Sequence, residues 1–110
     1  MVEYSGSLDQ VFSALGDTTR RSMVMMLLRD EQLRITDLAA PFSMSTAAVS
    51  KHVSVLERAG MVSRTKRGRE VLVQINAVPL ARAQDWLRAQ EQYWTAALGD
   101  LDALIRQDLS

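Results

Sequence analysis

The chain has 110 residues, with 13 Lys and Arg balanced by 13 Asp and Glu, one His and no Cys. That composition predicts one ordinary globular domain over residues 1–110. It excludes disulfides, thiolate metal sites and thiol redox switches, and a lone histidine cannot build a His-rich cluster, which leaves only an all-oxygen site conceivable. Asp85, Glu91, Asp100, Asp102 and Asp108 are mostly scattered where such a site wants convergent ligands, so no metal and no other cofactor is expected. The longest apolar run, Met23 to Leu28, has six residues, far short of the roughly 20 that cross a bilayer. Residues 1–7 carry neither a basic region nor an apolar segment, so the expectation is a cytoplasmic chain with a flexible N-terminal arm over 1–7 and no membrane partner.

The net charge is zero only as a total. Residues 1–44 and 82–110 each carry a net −2, whereas residues 45–81 hold Lys51, Arg58, Arg64, Lys66, Arg67 and Arg69 against Glu57 and Glu70, a net +4. A basic middle between acidic ends is the distribution expected of a chain that offers one surface to a polyanion.

Leu8, Val11, Phe12 and Leu15 recur at helical spacing ahead of Gly16, which predicts a short first helix whose apolar stripe needs a partner. Asp17 is a good N-cap for a second helix from Thr18 to about Arg29, with Met23, Met26 and Leu27 on one face. Met23, Met25 and Met26 are expected as core filler rather than as the lining of a ligand pocket. Asp30-Glu31-Gln32 ends that helix, and Thr36 caps a third from Asp37 to about Phe42, too short to persist without packing. After a turn at Ser43-Met44-Ser45, Ser45 caps a fourth helix from Thr46 to about Ala59, stopped by Gly60. Val49, Val53 and Leu56 fall on one side of it, while Ala47, Ser50, Lys51, Ser54 and Arg58 fall opposite. Met61 to Lys66 and Val71 to Ile75 read as two strands joined by a turn containing Arg67-Gly68-Arg69. A last helix runs from Pro79 towards Leu109, where Leu80, Ala83, Leu87, Trp94, Ala97, Leu101 and Leu104 follow a near-heptad spacing broken at Gln90.

The predicted fold is mainly α with a small β-hairpin, in the order ααααββα, which is that of a winged helix-turn-helix. A major groove about 12 Å wide admits one helix whose outward side chains reach base edges, and bulky outer residues would block the approach. The fourth helix begins its outer face with Thr46, Ala47 and Ser50, then Lys51 and Ser54. Arg64, Lys66, Arg67 and Arg69 on the hairpin are placed to neutralise phosphates alongside. A solvated hairpin is the ordinary fate of such a charge run; its position after the helix-turn-helix argues for the wing.

Two stretches carry a resemblance. Ala14-Leu15-Gly16-Asp17-Thr18-Thr19-Arg20 is similar to the Ala-Leu-Ala-Asp-Pro-Thr-Arg of the ArsR/SmtB-type bacterial transcriptional regulators. Met44-Ser45-Thr46-Ala47-Ala48-Val49-Ser50-Lys51-His52-Val53-Ser54-Val55-Leu56-Glu57-Arg58-Ala59-Gly60-Met61-Val62 resembles their recognition helix and its exit towards the wing. The resemblance extends over nearly the whole chain. It implies a dimer joined through the first and last helices, with Thr46, Ala47, Ser50 and Lys51 facing the groove and Lys66-Arg67-Gly68-Arg69 as the wing. It also implies a sequence-specific regulator, a repressor in its simplest form, whose partners are double-stranded operator DNA and a second copy of the chain. The chain departs from the metal-sensing members: Arg34-Ile35-Thr36-Asp37-Leu38 stands where they carry a thiolate motif, and residues 79–110 contain no His. Metal sensing by those routes is not expected.

Other residues keep two readings. His52 lies near the apolar side of its helix and reads as a packed histidine before a base reader. Arg20 and Arg21 either touch the DNA backbone or balance Asp17. Trp86, Tyr93 and Trp94 either fill the dimer interface, with Leu8, Val11, Phe12, Leu15, Leu87, Leu98, Leu101 and Leu104, or line a cavity for a small-molecule effector whose class the sequence does not name. No Ser-His-Asp motif, phosphate-binding glycine loop or HExxH helix is present, so an enzyme is not expected. The rival to DNA binding is a winged-helix module that uses the same surface on another protein.

Overall fold

Short polar side chains open three of the five helices. In the computed structural model, which describes residues 7–109, the order is α1 (Leu8–Ala14), α2 (Thr18–Asp30), β1 (Gln32–Arg34), α3 (Ile35–Ala39), α4 (Thr46–Arg58), β2 (Val62–Arg67), β3 (Glu70–Ile75) and α5 (Val78–Leu109). Ser7, Asp17 and Ser45 each accept the backbone N–H three residues on, from Gln10, Arg20 and Ala48, and so satisfy an amide that the helix itself leaves orphaned. The arm expected over residues 1–7 therefore loses its last residue to a helix cap; the rest of that arm lies outside the described residues.

The sheet has three strands where a two-stranded hairpin was expected. β1 pairs antiparallel with β3, Leu33 opposite Val73, and the strand order is β1-β3-β2. Glu31 makes this pairing: its φ of 66° breaks α2, its N–H donates to the Leu27 carbonyl at 2.7 Å, and its own carbonyl accepts from Ile75 at 3.0 Å. Because Arg34 is still paired to Leu72, α3 starts as soon as the ladder ends. It spans Ile35–Ala39 with no side-chain cap, rather than Asp37 to Phe42 behind a Thr36 cap.

The β2–β3 hairpin closes with Arg67 opposite Glu70, so Gly68 and Arg69 alone form its tip. Gly68 holds φ 58° and Arg69 does not share that sign, the pattern of a type II′ turn, whose twist matches that of the flanking strands.

The core gathers one face from each of the first four helices, Val11 and Ala14, Met23, Val24 and Leu27, Leu38, then Val49, Val53 and Leu56 of α4, together with Val62 and Val73 of the sheet. The predicted apolar side of the fourth helix is thus the buried one. Met23 is core and Met26 half-buried, but Met25 is 68% exposed; two positions along a helix turn it about 200° from Met23, onto the solvent side. α4 ends in a Schellman motif, with Gly60 at φ 76°, the Met61 N–H donating to Leu56 O at 2.9 Å and the Gly60 N–H to Glu57 O at 2.9 Å.

α5 has 32 residues, a rod of about 48 Å. Only its start is held by the rest of the fold, through Pro79, Leu80 and Ala83 and by packing against α1. Residues 91–108 are exposed throughout. The radius of gyration, 18.4 Å, accordingly exceeds the roughly 13 Å of a compact chain of this length. No described helix is long and apolar enough to cross a membrane.

Candidate nucleic-acid interface

α3, the turn after it and α4 form the helix-turn-helix, and burying Val49, Val53 and Leu56 fixes which side of α4 looks outward. Thr46, Ala47 and Lys51 are exposed on that side; Ser50 and Ser54 are half-buried at its edge towards β2. The first turn holds no acidic side chain, so the positive end of the helix dipole is left for an anion.

Lys66, Arg67 and Arg69 stand exposed at the hairpin, and among the described residues neither they nor Lys51 makes an ion pair or side-chain hydrogen bond. The reason lies on the neighbouring strand. Glu70 faces Arg67 across the ladder, yet its carboxylate accepts from Arg34 Nη1 at 3.1 Å. Arg34 also donates to Asp37, at 2.9 and 3.4 Å, and the Asp37 and Glu70 carboxylates together hold its guanidinium above the ordinary value. Because Arg34 engages the one acid near the tip, the wing cations are left uncompensated. Sequence reading missed this role, since it depends on the unforeseen strand β1.

Arg64, grouped by sequence with the wing cations, is placed differently. It projects from the core-facing side of β2, opposite Val73, and is only 23% exposed. Its Nη1 donates to Ser50 Oγ at 2.9 Å, its Nη2 to Ser54 Oγ, and its Nε and Nη2 each to Glu57 Oε1 at 3.3 Å. The structure thus brings Ser50, Ser54 and Arg64 together and leaves Lys66, Arg67 and Arg69 apart from them.

Behind α4 a second cluster joins three helices. Arg20 donates from Nε to Ala14 O at 2.7 Å and from Nη2 to Ser13 O at 3.4 Å, and Arg21 from Nη1 to Leu15 O at 2.7 Å. Both arginines satisfy the terminal carbonyls of α1. His52 faces the same cluster, with Nδ1 3.3 Å from Arg20 Nη1 and 3.9 Å from Asp17 Oδ2, which is the packed histidine of the sequence reading. Asp17 is held below the usual carboxylate range, chiefly by the Arg20 backbone N–H and then by the charges of Arg20 and His52.

The residues expected at a dimer interface divide. Val11 has no exposed surface and belongs to the chain's own core, a correction to its expected place. Leu8 and Leu15 are half-buried, and Phe12 packs edge-to-face on Trp86 with ring centroids 5.9 Å apart. Leu87, Trp94, Leu98, Leu101 and Leu104, with Tyr93 and Ile105, leave a long apolar stripe of α5 in solvent. Among the described residues no three His, Asp or Glu side chains stand together as a metal site requires.

Comparison with known proteins agrees with this arrangement. Residues 17–64 match the family model for bacterial regulatory proteins of the arsR family. The HTH-type transcriptional regulator YuzN of Bacillus subtilis is 34% identical over 82 residues, covering 69% of this chain and 89% of that protein. The transcriptional repressor SdpR of the same organism is 28% identical over 80 residues, 73% of this chain and 88% of that one. A crystal structure of an ArsR family transcriptional regulator superposes with a TM-score of 0.75 at 33% identity, over 86% of this chain and 97% of the other. The helix-turn-helix, the cationic hairpin and these likenesses together place the chain in the ArsR family of winged helix-turn-helix transcriptional regulators.

Proposed function

We propose that the chain works as a dimeric, sequence-specific repressor, with α4 in the major groove of operator DNA and the Lys66–Arg69 wing against phosphates and the adjacent minor groove. The observation that carries this reading is the set of exposed cations without ion pairs, Lys51, Lys66, Arg67 and Arg69, flanking a face of α4 that starts with Thr46 and Ala47. Small residues let the groove wall approach, and uncompensated cations release counterions when phosphates replace water around them. The name of SdpR, a transcriptional repressor, supports the direction of regulation. The apolar stripe of α5 supports a two-fold dimer, which sets two recognition helices about 34 Å apart, one turn of DNA.

A hydroxyl-radical footprint over the DNA flanking the chain's own gene tests this. Two protected patches about one helical turn apart are expected. A single patch, or none at protein concentrations that saturate the dimer, contradicts the dimeric reading.

A further inference from the structure

Ser50, Ser54 and Glu57 lie at spacings of four and three along α4, one stripe about 10 Å long. The Arg64 guanidinium lies along that stripe and commits four of its five N–H groups to it. Its backbone belongs to the wing strand, so one side chain joins the helix that reads bases to the hairpin that meets phosphates. Its charge is met by Glu57, and its surface is mostly covered, in contrast to Lys66, Arg67 and Arg69. A cation so placed has little left to give a phosphate.

We infer that Arg64 is a positioning residue for base reading rather than a phosphate contact: it fixes the rotamers of Ser50 and Ser54 and the pitch of α4 against the wing. This inference rests on the DNA-binding reading above. Arginine is required because the fork spans three acceptors at once; a lysine ammonium keeps the charge near Glu57 but is a single point that cannot hold both hydroxyls as well. Glu57 acts through Arg64 by neutralising it.

The test begins by selecting duplexes from a random-sequence pool with the unaltered protein, then measures affinity for the selected duplex and for a random duplex of equal length at several salt concentrations. Arg64→Lys is expected to reduce preference for the selected duplex about tenfold, with random-duplex affinity and the salt slope unchanged. A repeated selection with Arg64→Lys should lose base preference at the same positions as Ser50→Ala, and adding Ser50→Ala to Arg64→Lys should cost nothing further. Glu57→Gln, which keeps both serine bonds, should leave the preference for the selected duplex in place. The inference is overturned if Arg64→Lys weakens both duplexes together, if its effect multiplies with that of Ser50→Ala, or if Glu57→Gln loses the base preference although both serine bonds remain. If the unaltered protein selects no sequence at all, the DNA-binding reading itself fails.

Discussion

Asp17 accepts the Arg20 amide at 3.1 Å, while the guanidinium of the same arginine closes over the carbonyls of Ser13 and Ala14. One residue pair therefore finishes α1 and starts α2, with His52 of α4 seated against it. The cap was legible in sequence because it is local: Asp17 needs only the amide three residues on. The roles of Arg34 and Arg64 were not, because each reaches a partner that only the fold brings near, Arg34 to Glu70 and Arg64 to Ser50. The lowered Asp17 pKa gives a signed consequence. A carboxyl held below its ordinary 3.8 in the folded chain stabilises the fold above that value, and the benefit is lost as pH falls through the folded value. Asn keeps the capping oxygen without the charge, so Asp17→Asn should lower Tm at pH 7. The gap between the two proteins should close on acidification below about pH 4. Thermal melts across pH 2.5 to 7, roughly that range, check this; a gap of constant size contradicts the charge-based origin.

At the scale of elements, the helices read well wherever an N-cap and a glycine stop bracket an apolar stripe, as with Ser45, Val49-Val53-Leu56 and Gly60. β1 did not, since three residues carry no period and their pairing lies some forty positions on at β3. The late start expected for α3 has the same cause, because without β1 nothing in the local sequence marks Ile35 as its first residue. Gly60 tests how the α4 end is held. Its φ of 76° is strained for any side chain, so Gly60→Ala should cost roughly 1 to 2 kcal/mol. Denaturant unfolding should show a lower midpoint at unchanged slope. α5 poses the opposite case: Leu101 is 52% exposed within one chain, so Leu101→Lys should leave the single chain's fold intact. If the stripe is the dimer seam, that charge weakens association at least tenfold, about 1.4 kcal/mol. Sedimentation of the two proteins side by side measures it, and equal dimer populations would place the seam elsewhere.

For the whole molecule, the zero net charge conceals a division of labour. The acidic thirds contain α1, α2 and α5, while the basic third contains α4 and the wing. The extended shape matches that division, since the exposed half of α5 projects from a compact body that contains the helix-turn-helix. The position of the basic third was legible from composition, and Thr46, Ala47 and Lys51 on the outward face from the helical spacing of Val49, Val53 and Leu56. What composition could not separate was Arg64 from Lys66, Arg67 and Arg69, because charge totals do not show which cations meet a carboxylate. Groove readers and phosphate neutralisers differ in how salt affects them, and a protein-binding module with an apolar contact depends little on salt at all. The deciding measurement is the affinity of the unaltered protein, Ser50→Leu and Arg67→Ala for operator and random duplexes over a series of salt concentrations. Ser50→Leu should lose roughly 1 to 3 kcal/mol on the operator while sparing random DNA. Arg67→Ala should weaken both and lower the salt slope by about one unit for each phosphate that a subunit no longer neutralises. An unchanged slope for Arg67→Ala together with a harmless Ser50→Leu would contradict DNA binding through this face and leave the protein-binding module as its function.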